Sequence, residues 1–237
     1  MHGLGTIVNV AAIVVGGLAG LLGERRIPER LQKTLMSAMG VSVLFVGVSG
    51  ALSQMLRAEG GALTVQGTMM MILSLAVGAV LGELLDLEDR MERFGAWLKV
   101  KTKSESDGGF IGAFVTASLT VCIGAMAIVG SIQDGILGDH ATLFAKAVLD
   151  LVIIMVMTAS MGKGCIFSAI PVGILQGSVT LLARLLQPVF TDAALSNLSL
   201  VGSVLVFCVG LNLVWGKKIR VANLLPSLLI AVVWAFL

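Results

Sequence analysis

Tyrosine is absent from this chain of 237 residues, charged residues make up 13%, aromatics 5%, and there are four prolines and three cysteines. Each shortage excludes something. Without tyrosine there is no intramembrane aspartyl protease of the Tyr-Asp type. Soluble domains are about a quarter charged, so a chain this poor in charge, 57% hydrophobic and with a mean hydropathy of +1.01, cannot hide its apolar surface from water. Cys122, Cys165 and Cys208 all fall in apolar stretches, which leaves no extracellular disulfide framework. The few aromatics argue against a large stacking pocket. A phosphate-binding Gly-x-x-x-x-Gly-Lys loop, a His-Glu-x-x-His zinc pair and a Gly-x-Ser-x-Gly elbow are also missing, so the expectation is no enzyme and no cofactor. His2 and His140 lack metal-ligand spacing, so no metal centre is expected. A net charge of +2 gives no basis for binding nucleic acid. Met1-His2-Gly3 has no basic run, which predicts a retained first helix rather than a cleaved signal peptide.

What the chain does have is apolar length. Segments near 4–23, 35–56, 62–87, 109–130, 142–161, 165–187, 196–215 and 221–237 approach the ~20 residues needed to cross a bilayer. All but three of the sixteen Lys and Arg residues fall in alternate gaps: Arg25, Arg26, Arg30, Lys33; Arg90, Arg93, Lys99, Lys101, Lys103; Lys163; and Lys217, Lys218, Arg220. The intervening gaps hold Arg57 alone. Short basic loops stay cytoplasmic. The predicted fold class is therefore all-α: a polytopic helical membrane protein of about eight transmembrane helices, with both termini outside and one transmembrane domain over 1–237. Residues 88–108 read as a cytoplasmic helix in the membrane interface, with Met91, Phe94 and Leu98 on one face, followed by a flexible loop through Ser106. Trp215 and Trp234 fit interfacial positions.

Gly20-Leu21-Leu22-Gly23-Glu24 echoes Ala79-Val80-Leu81-Gly82-Glu83, each before a charged stretch, which suggests an internal repeat. Gly16/Gly20, Gly78/Gly82 and Gly173/Gly177 are four apart and suit close helix packing, within the bundle or at a homodimer seam.

An ionisable residue inside a span is a functional candidate by default. Asp150 stands ~10–12 Å inside the fifth span at 1.5 Å per residue, and Lys146 lies one turn earlier on the same face. The pair either binds an ion or fixes helix packing. Pro171 removes an N–H from the sixth span, and Gln176 follows; unwound carbonyls and an amide would suit a hard cation, while a simple kink is the alternative. Thr116, Thr120 and Gly124 share a face that lines a pathway or bonds back to its own helix. Asn9, Asn212 and Asn223 need polar partners in hydrocarbon. Asn9 is expected nearer the outside, lining access to the site, and Asn223 nearer the inside. Glu83 and Asp86 read as solvated at the inner end of the third span.

Several of these residues carry a resemblance. The run from Ile7 to Gly20, Ala145-Lys146-Ala147-Val148-Leu149-Asp150, Ile170-Pro171 with Gln176, and Val221-Ala222-Asn223-Leu224-Leu225-Pro226 together resemble the YqgA/YdfK family of bacterial inner-membrane proteins, over nearly the whole chain. The resemblance implies a domain of unknown function, with a sodium channel or pump suggested for the family and no set of functional residues. The expected function is thus a small transporter or channel for Na⁺ or H⁺ in the bacterial inner membrane, with Asp150, Lys146, Gln176, Pro171, Asn9, Asn223 and Thr120 as its ion-binding residues. A non-transporting membrane protein that regulates a partner, or a carrier of a small organic solute, is the alternative. The expected partners are the lipid bilayer, the small cation or solute and a second copy of the chain.

Overall fold

The computed structural model describes residues 2–24, 28–59, 62–104, 107–123, 125–186, 189 and 191–237. Arg25, Arg26, Ser106 and Gly124 lie outside the described residues. Helices dominate because backbone groups in hydrocarbon must be satisfied within their own segment. In chain order they are α1 (Leu4–Glu24), α2 (Glu29–Met55), α3 (Thr68–Leu85), α4 (Leu87–Lys101), α5 (Phe110–Cys122), α6 (Ala125–Leu137), α7 (Ala141–Met161), α8 (Ala169–Leu181), α9 (Ala183–Leu186), α10 (Asp192–Trp215) and α11 (Pro226–Trp234). Two strands, β1 (Leu56–Glu59) and β2 (Ala62–Val65), form an antiparallel hairpin that pairs Arg57 with Thr64. Short 3-10 stretches, Lys163–Ser168 and Val221–Leu224, lead into α8 and α11.

Six of the described helical segments are long and apolar enough to cross a membrane, and α5 with α6 forms a seventh if that pair, bent by 61°, is one span. The polytopic helical class is as expected, with six or seven candidate spans among the described residues where about eight were expected. The expected span 62–87 begins at Thr68, because the residues before it pair as the hairpin. The expected span 109–130 breaks after Cys122 and continues to Leu137. The last segment, Val221–Trp234, is a shorter apolar helix.

Two compact units share the chain. The first comprises Met1–Met39, Asp89–Cys122 and Met126–Leu186. Its axis is the α1–α7 pair, in which Gly16 and Gly20 lie against the carbonyls of Leu151 and Met155, so that a Cβ at either would collide with backbone. Phe110, Phe114, Ile13, Leu143 and Ile154 form its fully buried core. The second comprises Gly40–Glu88, Ile123–Ala125 and Gln187–Leu237. There Gly47 and Gly50 of α2 face Phe207 and Ser203 of α10, while Gly78 and Gly82 of α3 face Ser227 and Asn223. Two of the three glycine pairs are thus consumed by packing inside a unit. Gly177 of the third has nothing within reach of a Cβ.

Helix α4 has a buried face and an exposed one. Glu88, Gly95 and Leu98 are buried, whereas Phe94 and Trp97 are exposed and stack on each other at 5.7 Å between ring centroids. Gly95 makes the difference, since its missing side chain lets Phe114 approach.

Candidate functional site: a buried Asp-Lys pair on a polar ladder

The first unit brings three helices together around one carboxylate. Asp150 and Lys146 are one turn apart on α7, and both are buried. Lys146 Nζ donates to Asp150 Oδ1 at 2.8 Å and to Oδ2 at 2.6 Å. Its third donor goes to the carbonyl of Val121 at 2.8 Å. That carbonyl is open because α5 stops at Cys122, and the last carbonyls of a helix have no intrahelical donor. A cation there also complements the negative end of the helix dipole. The break after α5 and the buried lysine therefore satisfy each other.

Asn9 of α1 closes the site from the other side. Its Nδ2 donates to Asp150 Oδ2 at 3.0 Å and to Gln176 Oε1 of α8 at 3.2 Å. The amide orientation is set by charge, since Asn9 must turn its NH₂ to the carboxylate and Gln176 must then present oxygen. Two buried atoms remain without a protein partner: Asn9 Oδ1 and Gln176 Nε2.

The polar groups continue toward the start of α1. Thr6, on the same face as Asn9, lies 3.4 Å from Thr180, one turn beyond Gln176 on α8 (hydroxyl to hydroxyl). Beyond them Asp134 of α6, fully buried, accepts the N–H groups of Gly3 at 3.0 Å and Gly5 at 3.1 Å. These are orphan donors of the α1 N-terminus, and a carboxylate suits them on both hydrogen-bonding and dipole grounds. His140 Nδ1 is 2.8 Å from Asp134 Oδ1, and His2 Nδ1 is 3.2 Å from the Asp134 carbonyl. The two histidines, isolated in sequence, thus meet at one aspartate. In the opposite direction the ladder stops: Ile13 and Ile154, each one turn past Asn9 and Asp150, are fully buried.

The model of a protein family of unknown function, DUF554, matches residues 4–236. The chain belongs to this family. It is 31% identical over 232 residues to "Uncharacterized membrane protein YdfK" of Bacillus subtilis (strain 168), covering 98% of this chain and 95% of that protein. It is 28% identical over 232 residues to "Uncharacterized protein YqgA" of Escherichia coli (strain K12), covering 96% and 94% respectively. No solved structure matches. With its membrane-length helices, the DUF554 chain is a multi-pass membrane protein.

Of the residues singled out from sequence, the structure gathers Asp150, Lys146, Asn9 and Gln176. The others stand apart from this group. Pro171 sits in the first turn of α8, where a missing N–H costs little, and the chain from Lys163 to Leu181 is helical throughout, so no unwound stretch precedes Gln176. Thr120 donates its hydroxyl to the Thr116 carbonyl of its own helix at 2.8 Å. Asn223 belongs to the second unit: its Nδ2 donates to Glu83 Oε2 at 2.6 Å, and its Oδ1 accepts the Glu88 N–H at 2.7 Å. Asn212 closes the turn after α10 through Lys218 and Ile219. Glu83, exposed as expected, also pairs with Arg220 at 2.8 Å. Asp134 and the Val121 carbonyl were missed. Gly3 and Gly5 at the start of α1 hinted at the first; the second needs the position of the helix break.

Proposed function

We propose that this DUF554 protein is a small-cation transporter of the bacterial inner membrane, carrying Na⁺ or H⁺ with Asp150 as the exchanging carboxylate. The observation that carries the reading is the resident counter-cation: Lys146 occupies both oxygens of a buried carboxylate and has a second seat on Val121. A bare charge at that depth is costly, so the resting pair is neutral. An arriving cation replaces the ammonium on Asp150, and Lys146 retains the Val121 carbonyl. Hard cations take oxygen ligands. The unpartnered Asn9 Oδ1 and the Gln176 Oε1 supply two beside Asp150. On the orientation predicted by the Lys and Arg distribution, the ladder from Asp134 through Thr6 to Asn9 leads in from outside, and Ile13 and Ile154 seal the inner side.

The test is uptake of labelled Na⁺ into proteoliposomes, by the wild-type chain and by Asp150→Asn, with and without an opposing pH gradient. Uptake above empty liposomes that disappears in a monodisperse, inserted Asp150→Asn protein is expected. Acceleration by the pH gradient marks exchange rather than a channel. Unchanged flux in the variant removes Asp150 from the mechanism, and absence of wild-type uptake rejects the cation reading.

A further inference from the structure

The second unit holds a cleft of about 300 Å³ that is independent of Asp150. Its walls are the end of α2 (Gln54), the hairpin (Arg57), the approach to α3 (Gln66, Gly67) and the first two turns of α10 (Asp192, Ser196, Asn197), with buried Leu200 at its floor. The volume is at the lower end of the range for small-molecule sites.

The charges in this cleft are unusual. Arg57 is the single cation that the sequence places in the sparsely charged set of connections. Asp192 is the acidic residue of α10's first turn. Neither side chain has a hydrogen-bond or ion-pair partner among the described residues. Ser196 and Gln54, by contrast, are tied to each other at 2.8 Å, and Asn197 holds the Ala231 carbonyl at 3.2 Å, so the polar frame of the cleft is fixed while its two charges are uncommitted. Gly67 adds a further donor edge. It is the N-cap of α3 at φ 75°, with no side chain to cap the first N–H groups of that helix.

These features select a ligand. A guanidinium beside uncapped helix N–H groups suits a carboxylate. A carboxylate on another wall of the cleft, that of Asp192, suits an ammonium. A simple anion would meet Asp192, and a simple cation would meet Arg57 and the positive end of α3. Among the described residues the lining contains no aromatic side chain, whereas quaternary ammonium groups are recognised by aromatic cages. We propose that this cleft binds a small zwitterion of α-amino-acid size, with its carboxylate on Arg57 and its primary ammonium on Asp192.

The experiment is titration calorimetry on the intact, detergent-solubilised chain with glycine, L-alanine and L-serine, and with propionate and propylamine as single-charge comparators. Saturable heats are expected for at least one amino acid, with both comparators at least about tenfold weaker. Arg57→Gln and Asp192→Asn should each weaken binding by about tenfold or more. Ala193→Leu, which fills the cleft from the exposed first turn of α10 and touches neither charge, should abolish it. Three results overturn the proposal: no saturation by any of the amino acids up to about 10 mM, propionate or propylamine binding as well as L-alanine, or full binding by Ala193→Leu. The measurement uses no ion gradient, so its failure leaves the reading of Asp150 untouched, and a failed flux assay leaves the cleft untouched.

Discussion

The two units each bury a carboxylate near an asparagine, and they satisfy it to different degrees. In the second unit, Glu88 accepts the Ala222 N–H at 3.0 Å and pairs with Lys217 at 2.8 Å, while Asn223 uses both ends of its amide on Glu83 and Glu88. Asp86, left-handed at φ 48°, makes the turn that brings Glu83 of α3 and Glu88 of α4 to the same asparagine. In the first unit, Asp150 is bonded by Lys146 and Asn9, yet Asn9 Oδ1 and Gln176 Nε2 are buried and unmatched. An unmatched buried polar atom costs about 1–3 kcal/mol, and a packing device has no use for that cost. A site that must bind and release does. The comparison thus separates a staple from a candidate ion site.

The strongest way to break this contrast is at Asp150 and Lys146. Removing one member of a buried pair strands the other charge and costs about 3–5 kcal/mol, whereas replacing both with apolar residues of similar size is often neutral. Asp150→Leu with Lys146→Met is therefore expected to melt within a few degrees of wild type and to transport no Na⁺, while Lys146→Met alone melts far lower. Thermal melts of the three proteins beside flux assays give the answer. Retained flux in the double variant would make the pair structural.

Second in size is the staple. Asn223→Ala leaves the Glu88 N–H buried without an acceptor and should cost about 1–3 kcal/mol. The expected phenotype is a lower melting temperature with normal flux in the protein that remains folded. Loss of flux at unchanged stability would move Asn223 into the transport machinery and erase the distinction between the units.

The reach of the sequence follows the same division. Patterns within one helix were legible: Lys146 and Asp150 at four apart, the glycine pairs at Gly16/Gly20 and Gly78/Gly82, and the membrane-spanning periodicity. Asp150 was found because burial of charge is visible in its neighbours Val148, Leu149, Leu151 and Val152. Contacts made across the chain were not legible. Asn223 has the same composition-level signature as Asn9, an amide in an apolar run, and what separates them is which helix each meets. The place of Pro171 was not legible either: a proline's effect depends on its distance from the helix start, and α8 starts after the 3-10 stretch Lys163–Ser168. The hairpin at Leu56–Val65 was hidden by apolar β-capable residues that also read as the beginning of a span.

Asn9 gives a smaller and sharper test. Asn9→Ala removes one of the bonds to Asp150 and the oxygen assigned to the incoming cation, but leaves the Lys146 pair intact. Stability should fall by about 1.5 kcal/mol, the lower end for a hydrogen bond to a charged group. Flux at saturating Na⁺ should change little, while the Na⁺ concentration for half-maximal uptake rises about tenfold, since one oxygen ligand contributes ~1.4 kcal/mol.

Thr120→Val is the smallest predicted effect and bounds the site. The Thr120 hydroxyl bonds back to Thr116, one turn earlier on α5. Such a bond duplicates what the helix already satisfies, and valine has nearly the same shape. The melting temperature should move by no more than the change for about 0.5 kcal/mol, with flux and Na⁺ dependence unchanged. Uptake curves for Thr120→Val and Asn9→Ala, measured side by side, decide whether the pathway runs along the α1–α8 ladder or along α5. If Thr120→Val alone shifts the Na⁺ dependence, the cation passes the α5 face, and the ladder from Asp134 to Asn9 reverts to a packing role like that of the Asn223 staple.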